Sequence, residues 1–529
     1  MTNNTTFYDF NRSNKSLQVA MNFNVETMIP EDGKVSLVCT IVERMNLSTV
    51  ISTYSKRGRK PVLDPVTFLK IILFCYSEGI FHSRKIEKFC IYDLRARYFL
   101  NGNKAPDHST ISRFQNMLNE HTASLLTDFV QMMVEEGHIN LKTLYIDGTK
   151  IESAANRYTF VWRKTVEKNR EKLIEKLIEK FGLPKGTKDQ EVYKSTKVRF
   201  NQIRNLCERK KIQFVYGSGN RKTVEQREYE YLEKALDRLE TYRNHLEIMG
   251  DRNSYSKTDQ DATFMRMKED HMRNGQLKPA YNIQLASTGA FIVGVMGSQK
   301  ANDLHTLKPF LNQMFPAYGK SMKNIVADAG YESVENYVYL NEKNLVSYIK
   351  PSNYEVKKTK KSKDDIGRKE NMLYLEDKDV YLCKAGKELV RGHDRKKQTS
   401  SGFEDLKRTY TCSECSGCDL ANDCIKPRKN TNPTQKSIVF SPAFEEFRRQ
   451  SEHNIMTDVG INYRINRSIQ AEGAFAKMKD GLSYTRFRHR SMNKVVSDLT
   501  LVALGLNINK LHQKIIHNQT EMIEYKKAA

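Results

Sequence analysis

No apolar run in this chain approaches the ~18 to 20 residues that a membrane-spanning helix needs, which excludes a helical membrane protein. The opening MTNNTTFYDF lacks the basic-then-apolar order of an export signal, so secretion is not expected. Acids are the minority charge. Asp and Glu number 63 against 87 Lys and Arg, a formal charge of +24 over 529 residues. Aromatics at 10% argue against wholesale disorder, because they can build cores. The length leaves room for two to four domains. A basic chain of this size meets a polyanion, with nucleic acid first and a membrane surface second; charge kept only for solubility is the plain alternative.

Nine cysteines divide unevenly. Cys39, Cys75, Cys90 and Cys207 are scattered through apolar or helical patterns and read as small buried hydrophobes in a reducing compartment. Cys383, Cys412, Cys415, Cys418 and Cys424 fall together. Cys412, Cys415, Cys418 and Cys424 offer four thiolates to a tetrahedral, structural Zn²⁺, with Cys383 as a substitute ligand. A metal-free cysteine-rich turn and an iron–sulfur cluster are the other readings.

Residues 1–57 read as a polar arm and a helical segment, followed by the basic turn Arg57-Gly-Arg-Lys-Pro61. Asp64 and Pro65 suit the start of a helix that is apolar nearly all round, hence central to a small bundle. Asp107 or Ser109 can cap a later helix whose start offers Thr110, Arg113 and Gln115. A helix-turn-helix reader of DNA needs these features, and an ordinary helical bundle shows them too. A helical DNA-binding domain is placed at 58–135. From 138 the pattern turns to strands. Leu141 to Gly148 reads as a buried strand, and Ala280–Ala286 and Phe291–Val295 as a hairpin about Ser287-Thr-Gly289. Further strands fall at 324–328 and 346–350. Amphipathic helices at 162–181 and 222–249 mark a helical insertion, 160–250, inside the first part of a core at 138–350. The second has a coiled-coil-like seam of Leu232, Ala235, Leu239, Tyr242, Leu246 and Met249. A Lys-rich loop opens the cysteine-bearing insertion, 351–460; the closing helices span 461–512 and a tail 513–529. The fold class expected is α/β, a mixed sheet flanked by helices.

Asp147 and Asp328 each close an apolar strand before a glycine, where a carboxylate can reach the sheet rim. Glu472 shares a 4-3-4 stripe with Ile465, Ile469 and Ala476, and a lone acid on a buried stripe is costly unless paired or bound to a metal. Lys479 lies on nearly the same face. Three such carboxylates suit Mg²⁺. Two such ions ~3.5–4 Å apart can activate the attacking oxygen and stabilise the leaving oxygen of a phosphodiester.

Tyr145-Ile-Asp147-Gly-Thr149, Ala327-Asp328-Ala-Gly330-Tyr331 and Arg467…Glu472-Gly…Phe475…Lys479 resemble the three catalytic blocks of DDE-type bacterial insertion-sequence transposases. Pro106–Phe114 resembles the signature of their N-terminal DNA-binding domain, and the likeness runs over roughly residues 55–510. The resemblance implies a ribonuclease-H-like core and two Mg²⁺ ions held by Asp147, Asp328 and Glu472. It implies cleavage of transposon ends and joining of the 3′-hydroxyl to target DNA. Double-stranded DNA is then the partner, a homodimer forms on it, and the location is the bacterial cytoplasm, at the nucleoid. The family's last block runs Tyr, two residues, Arg, three residues, Glu, six residues, Lys. Lys479 fits, whereas Tyr463 and Arg467 are displaced. Arg467 is preferred to Arg464 for DNA contact. Arg486, Arg488 and Arg490, with Tyr484 and Phe487 between or beside them, suit phosphates. Two other functions fit the residues: a DNA-binding regulator with an inert core, and a site-specific nuclease without strand transfer. Asp259 and Asp261 read as turn residues, His108 as support for its turn, and His305 as a packing or surface residue.

Overall fold

The computed structural model describes residues 33–53, 61–217, 219–267, 275–399, 401–426 and 434–521. Arg57, Arg59 and Lys60 of the basic turn lie outside them. The chain divides into two compact units, 1–115 and 116–529.

The described part of the first unit is helical: α1 (Lys34–Arg44), α2 (Ser48–Ser52), α3 (Pro65–Ser77), α4 (Ser83–Tyr92), α5 (Leu94–Leu100) and the start of α6 (His108–Leu118). Asp64 caps α3 by accepting from the Thr67 amide at 2.9 Å, and Pro65 takes the first helical position. Such a cap is worth ~1 kcal/mol. Residues Phe68, Leu69 and Ile71 through Ser77 of α3 are all buried, as a helix apolar on every side requires. Phe68 stacks on Phe114 at 4.6 Å and Phe74 on Phe89 at 5.5 Å. Asp107 caps α6 through the Thr110 amide at 2.6 Å, and His108 pairs with Glu87 at 3.3 Å. Arg113 is exposed. Gln115 is not: its amide turns inward to the Tyr76 hydroxyl at 3.2 Å.

The second unit begins with the rest of α6, then α7 (Thr122–Glu135) and β1 (Thr143–Glu152). The short strands β2 (Phe160–Trp162) and β3 (Ser254–Ser256) pair with each other and bracket α8 (Arg163–Phe181), α9 (Asp189–Arg209) and α10 (Val224–Met249). Ile174, Leu177, Val192, Ala235 and Leu239 bind these three helices together. α9 adds a helix to the two expected in this insertion, and Trp162 belongs to β2.

Next come β4 (Thr263–Arg266), β5 (Leu277–Thr288), β6 (Phe291–Ser298), α11 (Leu307–Tyr318), β7 (Asn324–Ala327), α12 (Val334–Glu342) and β8 (Val346–Ile349). The sheet order is β4-β5-β1-β7-β8, and β6 shares the edge of β5 with β4. β5 runs antiparallel to β1, whereas β7 and β8 continue parallel. The β5–β6 turn is Gly289-Ala290, with φ of +58° and +67°. Two positive φ values are what a two-residue hairpin of matching twist needs. β1 does not stop at Gly148, because β5 is long enough to pair with it from Tyr145 to Glu152. Asp147 is therefore a mid-strand residue.

A second sheet occupies the later insertion: β9 (Leu373–Leu375), β10 (Val380–Leu382), β11 (Glu388–Arg391), β12 (Arg395–Gln398), β13 (Glu404–Thr411) and β14 (Ser437–Phe440), ordered β12-β13-β11-β10-β9 with β14 on β13. Of two single-turn helices, α13 (Lys360–Lys363) precedes the sheet and α14 (Ala421–Cys424) lies between β13 and β14. The chain then returns through α15 (Pro442–Met456) and α16 (Asp458–Arg467). A π-helical turn, Ser468–Glu472, follows, then α17 (Gly473–Ala476), a second π turn, Lys477–Gly481, and α18 (Met492–Ile516). Ser451 on α15 accepts from the Ile349 amide at 3.1 Å and donates to its carbonyl at 2.9 Å, which docks α15 on β8. Asn507 on α18 does the same for Ile292, with 2.8 Å to both its amide and its carbonyl. No helix among the described residues is long and apolar enough to cross a membrane.

Candidate active site

Tyr145 on β1 and Val326 on β7 are register partners, and both pack with Tyr463 and Ala471. Asp147 lies two residues beyond Tyr145 on β1, and Asp328 lies two beyond Val326, directly after the end of β7. Alternation aims both at the face that carries the helix of Glu472. Asp147 is buried, and its Oδ1 accepts from the Gly148 amide at 2.8 Å. Asp328 leaves the end of β7 and accepts from the Gly330 amide at 2.8 Å, a local turn that fixes its carboxylate.

Glu472 is not on a buried stripe. Its side chain is 53% exposed, and Ile469 is exposed beside it. The 4-3-4 spacing presumes 3.6 residues per turn, and Ser468–Glu472 is wound more widely. The extra residue turns Gln470, Ala471, Phe475 and Met478 inward instead. It also accounts for the displaced arginine. A π turn brings residues five apart onto one face, so Arg467, five before Glu472, meets it. Arg467 donates to Glu472 Oε1 at 3.0 Å, and its other amino nitrogen lies 3.7 Å from Asp147 Oδ2. Ser468 Oγ donates to Glu472 Oε2 at 3.0 Å. One guanidinium thus links two of the three acids.

A fourth carboxylate stands beside them. Asn302 caps the turn before α11 as its sequence suggests, accepting from the Leu304 amide at 3.1 Å. Asp303 turns towards the sheet and accepts from Asn282 at 2.7 Å and Gln284 at 3.0 Å. A Cβ at Gly148 would stand 2.6 Å from Gln284 Nε2 and 2.7 Å from Asp303 Oδ1, so only glycine fits there. A Cβ at Gly330 would lie 3.0 Å from Asp328 Oδ1 and 3.6 Å from Asp303 Oδ2. The buried Tyr331 hydroxyl donates to Gln284. Burial first, then the charges of Asp303, Asp147 and Asp328, push that phenol well above its usual range. Asn282 and Gln284 were visible in the sequence as polar members of an alternating strand. Both are buried, and a buried polar pair needs partners, which was the available signal for Asp303. Among the described residues, no three His, Cys, Asp or Glu side chains stand close enough as placed to hold a metal ion.

The remaining arginines divide by partner. Arg486 donates to the carbonyls of Ser153 and Ala155, both at 3.0 Å, and lies 3.5 Å from Glu152. Arg488 pairs with Asp498 in a mostly buried contact. Arg464 lies 6.0 Å from the Tyr354 ring, and its buried Nε lacks a hydrogen bond. Lys479 is half-buried on the second π turn. Asp259 sits in a turn and is buried there. It accepts from Ser153 at 2.6 Å, Tyr281 at 2.8 Å and the Ser491 amide at 3.1 Å, anchoring the approach to α18. In the later insertion, Cys383, Cys412, Cys415, Cys418 and Cys424 border one small cavity.

Fold and site together define a mixed α/β core that carries Asp147, Asp303 and Asp328 around the buried Tyr331. Residues 382–512 match the transposase DDE domain, and residues 23–117 match a transposase domain, DUF772. Both matches support an insertion-sequence DDE transposase. No curated protein and no solved structure gives a match.

Proposed function

We propose that the second unit is a ribonuclease-H-like catalytic core in which Asp147, Asp328 and Glu472 bind two Mg²⁺ ions. It cuts transposon ends and joins the freed 3′-hydroxyl to target DNA. The observation that carries this reading is that Asp147 lies on β1 and Asp328 directly after β7, the parallel neighbour of β1, with Glu472 tied to Asp147 through Arg467. The strand arrangement supports it: three antiparallel strands, β6, β5 and β1, then β7 and β8 parallel to β1.

The donor set fits hard divalent cations, being carboxylate oxygen throughout. A positive guanidinium between Asp147 and Glu472 shows that these acids share one electrostatic demand. Bound Mg²⁺ would lower the pKa of the attacking oxygen and offset charge on the leaving one. The chain's part is positional. Asp147 is held by the β1 ladder and Asp328 by its turn, so neither reorganises. Glu472, half-exposed on a π turn, leaves Arg467 and Ser468 to join them. Arg467, so released, is free for a DNA phosphate, the charge-assisted contact guanidinium forms best. Residues 58–135 read the terminal repeats through α6, where Arg113 is exposed. Two chains bridge two ends as a homodimer at the nucleoid.

DNA carrying the flanking repeats, incubated with Mg²⁺ or with chelator, tests this. Asp147→Asn, Asp328→Asn and Glu472→Gln should each abolish cleavage while binding survives. Wild-type protein that binds the repeats and never cuts them would return the chain to the regulator reading, and unchanged cleavage in all three variants would rule these acids out as the site. A pre-cut end with a free 3′-hydroxyl that is never joined to target would leave a plain nuclease.

A further inference from the structure

We propose that Cys383, Cys415, Cys418 and Cys424 bind one structural Zn²⁺, and that Cys412, despite its spacing, is not a ligand. All five are free thiols bordering one cavity. Cys383 stands at the base of the β10–β11 hairpin. The turn is closed by its amide to the Lys387 carbonyl at 3.0 Å and by the Gly386 amide to its carbonyl at 2.9 Å. Cys415 and Cys418 flank a tight turn in which the Cys418 amide reaches the Cys415 carbonyl at 3.3 Å. Gly417 sits there at φ +69°, a conformation side chains resist. The Cys415 sulfur accepts the Lys436 amide at 3.3 Å, the hydrogen bond a thiolate ligand uses. Cys424 ends α14, its amide bonded to the Leu420 carbonyl at 3.0 Å.

Cys412 differs from these four. It is 1% exposed and a buried member of an apolar cluster with Met372, Leu389, Tyr410 and Ile438, against whose edge Cys383 and Cys415 pack. The other four are half-buried. Lys384, Lys387 and Lys436 also line the cavity. The sulfurs as placed are too far apart to share an ion, so binding draws them together by side-chain rotation. The gain is a staple. Four ligands from a hairpin, a turn and a single-turn helix close a segment whose own core is five buried residues.

This proposal is independent of the Mg²⁺ site. Full-length protein without a polyhistidine tag, grown in zinc-supplemented medium, is analysed for zinc and iron. The expected result is about one zinc per chain and no iron. Cys383→Ser should lose most of the zinc, whereas Cys412→Ala should keep it. Wild-type protein covers the case in which a variant fails to fold. Alkylation of the zinc-loaded and chelator-stripped forms, mapped by mass spectrometry, should show zinc-dependent protection at Cys383, Cys415, Cys418 and Cys424 and no change at Cys412. Absence of zinc, iron in its place, full zinc in Cys383→Ser, or zinc-dependent protection at Cys412 without Cys383 each overturns the assignment.

Discussion

The acid recess and the cysteine cavity are built in opposite ways. The acids come from positions 147, 303, 328 and 472, and Asp147 is held by the eight-pair ladder between β1 and β5. The cysteines lie between 383 and 424: Cys383 follows a three-residue strand, Cys415 and Cys418 lie on a turn, and Cys424 ends a single-turn helix. A site carried on a ladder can keep its acids in place without an ion, since backbone bonds hold the strands. A site carried on turns has little else to hold it. Metal removal should therefore silence the first without unfolding it, and loosen the second.

The largest effects should fall on the acids. Asp147→Asn or Asp328→Asn should lower cleavage by at least about 10³-fold, because each removes a fixed ligand charge. Asp303→Asn should cost less, ~10- to 100-fold, since its oxygens already serve Asn282 and Gln284. Single-turnover rates at saturating Mg²⁺ separate the two. Equal losses at all three positions would make Asp303 a full partner of the triad. Zinc content should stay unchanged in all of these variants.

Chelation should act in the reverse sense. Stripping zinc should open residues 383–424 to protease while the β1–β5–β7 sheet keeps its hydrogen-exchange protection. Parallel loss of protection in both regions would show that the insertion and the core unfold as one, and the contrast between them would fail.

Gly148→Ala tests the packing half of the recess. The added methyl meets Gln284 and Asp303 inside 3.0 Å, and overpacking of this kind costs ~1 to 3 kcal/mol. Melting by circular dichroism gives the cost. The same substitution should lower cleavage, because Gln284 cannot shift without moving Tyr331 and Asp303.

What could be read from residues alone follows the same division. Asp64, Asp107 and Asp328 make local hydrogen bonds within three residues, and local chemistry is visible in sequence. Gly148 looked like a strand end because glycine before a turn and glycine under a packed side chain are the same letter. Glu472 was placed on the wrong face because helical spacing assumes one winding, and a single extra residue in a π turn breaks it. The second sheet escaped notice because its strands lack alternation: Arg395–Gln398 is exposed at every position. Asp303 needed a partner nineteen residues away, Gln284, that only the folded sheet supplies.

The last expected effect lies away from both the acids and the cysteines, on α18, and touches stability alone. Lys514 is buried, with its ammonium 5.0 Å from the Phe291 ring. Burial, and then the neighbouring Lys510, push its pKa down to about 8. An unfolded lysine titrates near 10.4. Between those values the unfolded chain holds the proton that the folded chain has released, so stability rises with pH from about 8 to about 10.4. Below about 8 both states are charged and the folded one bears the full burial cost. Lys514→Met keeps the length and drops the charge, so it should stabilise the protein at pH 7 by up to about 3 kcal/mol. It should also flatten the rise above pH 8. Urea denaturation at pH 7 and pH 9.5 measures both. A variant less stable than wild type at pH 7 would show that the ring contact outweighs the burial cost, and that this lysine is held in place by its charge.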